Sequence, residues 1–271
     1  MVRNTKRALK KMPQQLEIAL ITGASSGIGT DFASELAARG YDLIISARRR
    51  DRLDKLKTEL EAKYKIGVEV VVADLGQPNG GEQLFQAVRS LSRPVSFLVN
   101  NAGLGRYGDF TTQSMADIEA MIQVNLSSLT VLTRLFAGQM VATGGGYILN
   151  TGSFSAIQPP PDYAVYAGTK SYVLAFSQAL NEQLKRRKVY VCSLCPGFFE
   201  SEFFAAAGQE PSFLVRMMML NRQKVARAGI NGVLRGKPVV IPGVGYKLLN
   251  LLMRATPRSF ATGLADFGMK H

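Results

Sequence analysis

The sequence predicts an α/β fold: one domain built on a doubly wound parallel sheet, with an extension at each end. Three observations carry this expectation. Short β-branched, apolar runs alternate with longer stretches of helical periodicity, the order that lays helices on both faces of a parallel sheet. Several of the runs, LIIS, VEVVVA and FLVN, are apolar at consecutive positions, as strands are when both sheet faces are covered. The chain has 271 residues, 46% hydrophobic and 20% charged, enough to bury a core without staples and too apolar for disorder.

The elements follow in order. Ile18–Thr22 is a short apolar strand that runs straight into glycines, and about 27–39 reads as a helix. Asp42–Ser46 and Gly67–Ala73 are the next strands, separated by a charged helical stretch over 51–64. A helix near 80–92 precedes the strand Val95–Asn100. A long one near 114–140 precedes Gly146–Thr151, and one near 164–187 precedes Lys188–Leu194. Pro238–Ile241 is the last strand. Two stretches break the rhythm: the Pro-rich loop SAIQPPPDY at 155–163, and an apolar, Met-rich insertion at 198–236 before the last strand. The expected organisation is a basic arm over 1–16, a domain over 17–245 and a basic helical tail over 246–271.

The net charge of +13 is unevenly placed. Residues 1–16 hold five bases and no acid, residues 17–212 hold 18 bases and 19 acids, and residues 213–271 hold ten bases and only Asp266. A nucleic-acid binder carries its surplus through the body, so no nucleic-acid partner is expected. The arm has no apolar stretch of about 7–15 residues behind its charges, so no secretory signal is expected. No transmembrane helix is expected either, for want of a run of about 18 apolar residues. Cys192 and Cys195 lie in VYVCSLC. On a strand, positions three apart point to opposite faces, which favours packing over a disulfide and a cytosolic, reducing setting.

Chemistry enters at the first turn. Strand one meets TGASSGIG, with Gly23, Gly27 and Gly29 ahead of a helix. Glycines let the backbone approach a pyrophosphate, and the helix N-terminus offers it free N–H groups. This is the context of a dinucleotide site in a Rossmann-type sheet. Strand two ends in Ser46, Ala47, Arg48, Arg49 and Arg50, with no carboxylate at its tip. An acid there selects NAD, whereas an Arg accommodates the 2′-phosphate of NADP. Arg48, with Ser46 and Arg49, is the expected reader; the alternative is a solvated charge run at a helix start. Further on, YAGTK sets Tyr166 and Lys170 four residues apart, on one face of a helix. An ammonium beside a phenol, whose ordinary pKa is about 10, and a positively charged oxidised nicotinamide would both stabilise the phenolate, lower that pKa and suit the pair to proton transfer. Ser153 stands just past a strand end, placed to hydrogen-bond a carbonyl oxygen.

Taken together, these residues resemble the classical short-chain dehydrogenase/reductase family, in its NADP-preferring branch. The resemblance spans about 17–245 and rests on TGASSGIG at 22–29, ADL at 73–75, NNAG at 100–103, VN at 124–125, Ser153, YAGTK at 166–170 and CPG at 195–197. It implies a glycine turn of Gly23, Ser25, Ser26, Gly27, Ile28 and Gly29 around the cofactor. It implies Asp74 and Leu75 at the adenine, and Asn101, Ala102 and Gly103 beside the cofactor. Pro196, Gly197, Phe199 and Ser201 would surround the nicotinamide. It implies Tyr166 as general acid/base, Lys170 on the ribose and in a proton relay with Asn125, and Ser153 orienting the carbonyl. Ser201 stands where the family more often has Thr, and Gly152 where it has a first Ser.

No metal cluster is recognisable, and the lone histidine, His271, excludes a Ser-His-Asp hydrolase. The expected activity is NADP(H)-dependent hydride transfer to or from a carbonyl or secondary alcohol. The alternative is a non-catalytic NADPH-binding sensor or scaffold. The resemblance places the 198–236 insertion over the substrate as a helical lid, where Phe198, Phe199, Phe203, Phe204, Phe213 and Met217–Met219 suggest an adaptable apolar pocket for a ketone or aldehyde, or simply the packing of the lid onto the body. Leu104, Tyr107 and the 155–163 loop would add walls. The basic, leucine-rich stretch from 244 either docks on the core or lies on an anionic membrane. The resemblance implies a homodimer or homotetramer through the helices near 114–140 and 164–187.

Overall fold

The computed structural model describes residues 17–199, 207 and 212–254. Seven strands, β1 (Ile18–Thr22), β2 (Asp42–Ala47), β3 (Val68–Val72), β4 (Val95–Asn100), β5 (Gly146–Thr151), β6 (Val189–Leu194) and β7 (Val239–Val240), form one sheet in the order β3-β2-β1-β4-β5-β6-β7. Every pairing is parallel. The order reverses between β1 and β4, and the crevice outside the strand ends at that point is where such sheets bind ligands.

The helices cover both faces. On one face α1 (Ile28–Ala37) and α2 (Arg50–Tyr64) bury Phe32, Leu36, Leu53 and Leu60 against Ile21 and Ile45. On the other, α3 (Gly80–Arg89) and α5 (Leu129–Ala142) bury Leu84, Leu132 and Phe136 against Leu20, Leu98 and Ile148. The apolar runs of β2 and β4 are thus explained by covered faces, whereas β3, at the sheet edge, leaves Val72 47% exposed.

Three boundaries differ from expectation. The single helix expected near 114–140 is α4 (Met115–Ile122) and α5, joined by a π-helical turn over Gln123–Ser128. By length and composition Met115–Ala142 could cross a membrane, but half of its apolar window is buried in this fold. Within the stretch over 198–236 expected as a lid, the described residues hold the short helix α7 (Phe213–Met217) and α8 (Arg222–Leu234), and α8 buries Val225, Ala226, Ile230 and Val233 in the core with α1. Composition alone does not say which surface an apolar helix meets. The last described helix, α9 (Val244–Arg254), starts two residues before the expected tail boundary at 246 and buries Tyr246.

Part of the basic surplus is anchored. Arg222 pairs with Asp31 at 2.9 Å and Arg227 with Glu35 at 3.1 Å, tying α8 to α1. Cys192 and Cys195 are both buried and unbridged. Beneath the sheet ends runs a buried polar chain. Asn100 Nδ2 donates to Thr133 Oγ1 and to Asn150 Oδ1, both at 2.9 Å. Asn150 Nδ2 donates to Ser177 Oγ at 3.0 Å, and Ser177 donates to the Val173 carbonyl at 2.7 Å. It connects α5, β4, β5 and the next long helix, α6 (Ala164–Leu184).

Candidate active site

A cleft of about 940 Å³ opens outside the carboxyl ends of the strands. At one end lies the glycine turn. Gly23 and Gly27 take φ of 66° and 56°, values that side-chain-bearing residues avoid. A Cβ on Gly23 would stand 2.8 Å from the Ala102 Cα, and one on Gly29 would strike the Gly23 carbonyl. The turn is backbone packed on backbone, and Asn101 clamps it: Nδ2 donates to the carbonyls of Thr22 at 3.1 Å and Gly23 at 3.2 Å. The Thr22 hydroxyl accepts from the N–H groups of Asn101 and Ala102. Asn101 therefore builds the turn as well as bordering the cleft. Gly27, the N-cap of α1, supplies no side-chain cap, so the helix start keeps N–H groups for an anionic ligand.

The cations stand beside this turn. Arg49 Nη2 donates to Ser26 Oγ at 2.9 Å and to Ser25 Oγ at 3.2 Å, closing over the loop. Arg48 is exposed at the cleft rim, and Ser46 is buried at the tip of β2. Arg49, weighed as a helper from sequence, is thus the arginine most firmly tied to the turn. Asp74 Oδ1 accepts from the Gly76 N–H at 2.9 Å, and Ile28 and Leu75 give the cleft buried apolar floor. Glycine cradle, open helix start and flanking arginines fit a phosphorylated dinucleotide.

At the other end stand Tyr166 and Lys170, one turn apart on α6. Lys170 Nζ donates to the Thr151 carbonyl at 2.7 Å and lies 5.6 Å from the Tyr166 ring centre. Burial pushes the lysine pKa down to about 8, with the nearby Cys195 sulfur raising it. Burial pushes the Tyr166 phenol up to about 12, and a hydrogen bond from Ser153 pulls it back. Desolvation is the largest influence on the phenol of the chain by itself; the lowered value expected from sequence includes the positive charge of an oxidised nicotinamide. Ser153 also caps the short helical turn Phe154–Ala156, accepting from the Ser155 N–H at 3.1 Å.

Asn125 sits in the π-helical turn, fully buried. Its amide is spent on protein partners: Nδ2 donates to the Leu104 carbonyl at 2.8 Å and Thr169 Oγ1 at 3.0 Å, and Oδ1 accepts from the Leu104 N–H. Gly103 lies between it and Lys170. Pro196 accepts from the Phe154 N–H, and Phe199 borders the cleft and bridges to Leu220. Ser201 and the apolar positions Phe203 and Phe204 lie outside the described residues.

Sequence reasoning missed Tyr246. Its ring fills the place that a Gly197 Cβ would take and meets Phe154 edge-on at 5.1 Å. Its hydroxyl accepts from the Phe198 N–H at 3.0 Å and donates to the Met218 carbonyl at 3.3 Å. Glycine 197 was the only signal, and it does not name its partner. Tyr107, Tyr163 and Tyr166 follow as an aromatic wall at 5.4 and 5.8 Å. Among the described residues no cluster of metal-ligating side chains occurs.

The model of the short chain dehydrogenase family matches residues 17–212. Very-long-chain 3-oxoacyl-CoA reductase-B of Danio rerio is 32% identical over 183 residues, 66% of this chain and 58% of that one. The chain thus spans under three fifths of that curated relative. A short-chain dehydrogenase from Sphingobium yanoikuyae, solved in complex with NADPH, superposes with a TM-score of 0.79 at 32% identity over 89% of this chain and 94% of its own. A bulky-bulky ketone specific alcohol dehydrogenase from Comamonas testosteroni gives 0.76 at 30% identity over 89% and 92%.

Proposed function

The chain belongs to the short-chain dehydrogenase family, an oxidoreductase family with a nicotinamide cofactor, and on that premise we propose that it reduces bulky apolar ketones with NADPH, 3-oxoacyl thioesters being the favoured class. The observation that carries this reading is one cleft with an arginine-flanked glycine turn at one end and Ser153, Tyr166 and Lys170 at the other. The substrate class draws on the apolar wall of Leu104, Phe198, Phe199, Val215 and Leu249, and on the 3-oxoacyl and bulky-ketone chemistry named for two similar proteins. NADP over NAD draws on Arg48 and Arg49 and the missing acid at the tip of β2.

When bound, the nicotinamide supplies the hydride. The chain supplies position and the proton. Ser153 holds the carbonyl oxygen, and Tyr166 gives that oxygen its proton as negative charge develops there. Lys170, fixed by the Thr151 carbonyl, holds positive charge beside the phenolate left behind. Asn125, by fixing Leu104 and Thr169, sets the groove through which that proton is restored. A homo-oligomer is part of the proposal, supported by exposed Phe110, Met115 and Ile122 on and before α4.

The test follows NADPH absorbance over a panel of ketones and 3-oxoacyl thioesters. Turnover is expected with NADPH above NADH, and Tyr166→Phe should abolish it while NADPH binding survives. Undiminished turnover in Tyr166→Phe would refute the assigned acid.

A further inference from the structure

The π-helical turn over Gln123–Ser128 sends Asn125 toward the helix that carries Tyr166 and Lys170. The residue is fully buried, so the polar atoms of its amide depend on protein partners. Leu104 fixes which end of the amide is which: its N–H donates to Oδ1 at 2.9 Å and its carbonyl accepts from Nδ2 at 2.8 Å. Nδ2 has a second hydrogen, and it goes to Thr169 Oγ1 at 3.0 Å. Leu104 belongs to the loop after β4, whereas Thr169 stands on α6 between the two proposed reacting residues.

A threonine hydroxyl has one hydrogen to give. Since Thr169 Oγ1 accepts from Asn125, it spends that hydrogen elsewhere, on the Tyr166 carbonyl at 2.7 Å. A helical Thr often bonds back to the preceding turn. Receiving a buried amide from 44 positions away at the same atom sets this one apart. Thr169 is 4% exposed and does not line the cleft, so any effect it has on the chemistry passes through its neighbours.

The oxygen end of the amide is where that effect lands. A Cβ on Gly103 would stand 3.3 Å from Asn125 Oδ1 and 3.5 Å from Lys170 Nζ, so the amide oxygen and the ammonium border one small space. Oδ1 keeps a second lone pair beyond the one used by Leu104. A negative dipole end there favours the charged form of a lysine that burial pushes toward neutrality. The titratable groups against Lys170 are Tyr166 on its own helix and Cys195 just past β6, and substitutions at Thr169 leave both in place.

We propose that Thr169 is a positioning residue: its hydroxyl, taking a hydrogen bond from Asn125 and giving one to the Tyr166 backbone, holds the Asn125 oxygen beside Lys170 and keeps the ammonium charged. That this charge serves ketone reduction rests on the function proposed above; the effect on Lys170 does not.

The test titrates Lys170 in the full chain by NMR of lysines labelled with carbon-13 at Cε, the resonance being the one lost in Lys170→Arg. In Thr169→Val, which removes the hydroxyl, the midpoint should fall by about half a pH unit or more. Thr169→Ser, which keeps the hydroxyl, should restore it. Far-UV circular dichroism and NADPH binding check folding; should Thr169→Val not fold, Thr169→Ala, with no methyl against the amide, carries the same expectation. In turnover, the alkaline limb of kcat should move down by the same amount. The loss then grows from slight near about pH 6 to about threefold on the limb, the factor that half a unit represents. An unmoved midpoint in the folded variant, or one that Thr169→Ser does not restore, overturns the proposal. So does a kcat loss of equal size at every pH, which assigns Thr169 to packing alone. A shifted midpoint in a protein that reduces no ketone would leave the positioning role standing and sink the proposed function alone.

Discussion

Replacing Tyr246 by Phe isolates one hydroxyl at the joint between the lid, the cleft and α9. The ring is kept, so the packing under Gly197 and the edge contact with Phe154 persist. What is lost is the acceptor for the Phe198 N–H at 3.0 Å and the donor to the Met218 carbonyl at 3.3 Å. A typical hydrogen bond contributes about 0.5–1.5 kcal/mol net, so the pair accounts for about 2 kcal/mol. For a chain of this size that corresponds to a fall in Tm of roughly 4–8 °C. Thermal and urea unfolding would read it, and steady-state kinetics would show a raised KM for bulky ketones with kcat little changed, because the groups on α6 proposed to react are untouched. A Tm within about 1 °C of wild type, with unaltered KM, would refute the claim that this hydroxyl ties the lid to α9.

Other outcomes follow from the same geometry. Arg49→Ala should raise the KM for NADPH about tenfold or more, since a hydrogen bond to a charged group contributes about 1.5–3 kcal/mol, and leave NADH nearly unaffected; Arg48→Asp should shift preference toward NAD. Equal losses with both cofactors would remove the arginines from 2′-phosphate reading. Reduction should hold steady up to about pH 8 and fall above it as Lys170, lowered to about 8, loses its charge, while Tyr166, raised to about 12, keeps the proton assigned to it in the proposed mechanism; a profile flat through about pH 8 and 9 would remove Lys170 from the titration. Gly29→Ala should weaken NADPH binding at least tenfold, because the new methyl meets the Gly23 carbonyl and the turn has to open; calorimetric titration giving a wild-type Kd would show that the turn does not hold the cofactor.

The strands and the glycine turn were legible because their signals are local: consecutive β-branched residues, and glycines between a strand and a helix. Tyr166 and Lys170 were legible because four residues on a helix mean one face. What escaped depends on distant pairings. Asn101 clamps a carbonyl 79 positions away, which only the adjacency of β1 and β4 creates. Tyr246 fills space beside a glycine 49 positions earlier in the chain. The π-helical turn leaves no local mark, since one residue more per turn changes no residue type. α8 carries the same apolar content as a lid and was read as one. The desolvation of the phenol was not legible, because charge proximity can be read from spacing whereas burial requires knowing what surrounds the ring.

The polar chain from Thr133 through Asn100 and Asn150 to Ser177 bears on how such a protein can change over generations. Its members come from α5, β4, β5 and α6, so no single segment can be exchanged without leaving a buried group orphaned at its neighbour. Losses at these positions are non-additive by construction: the first substitution does most of the damage and the next ones little more. The helix that carries Tyr166 and Lys170 is one link of that chain. A single exchange here costs more than one at the cleft walls, so the setting of the proposed reacting pair is more constrained than the surfaces that meet a substrate.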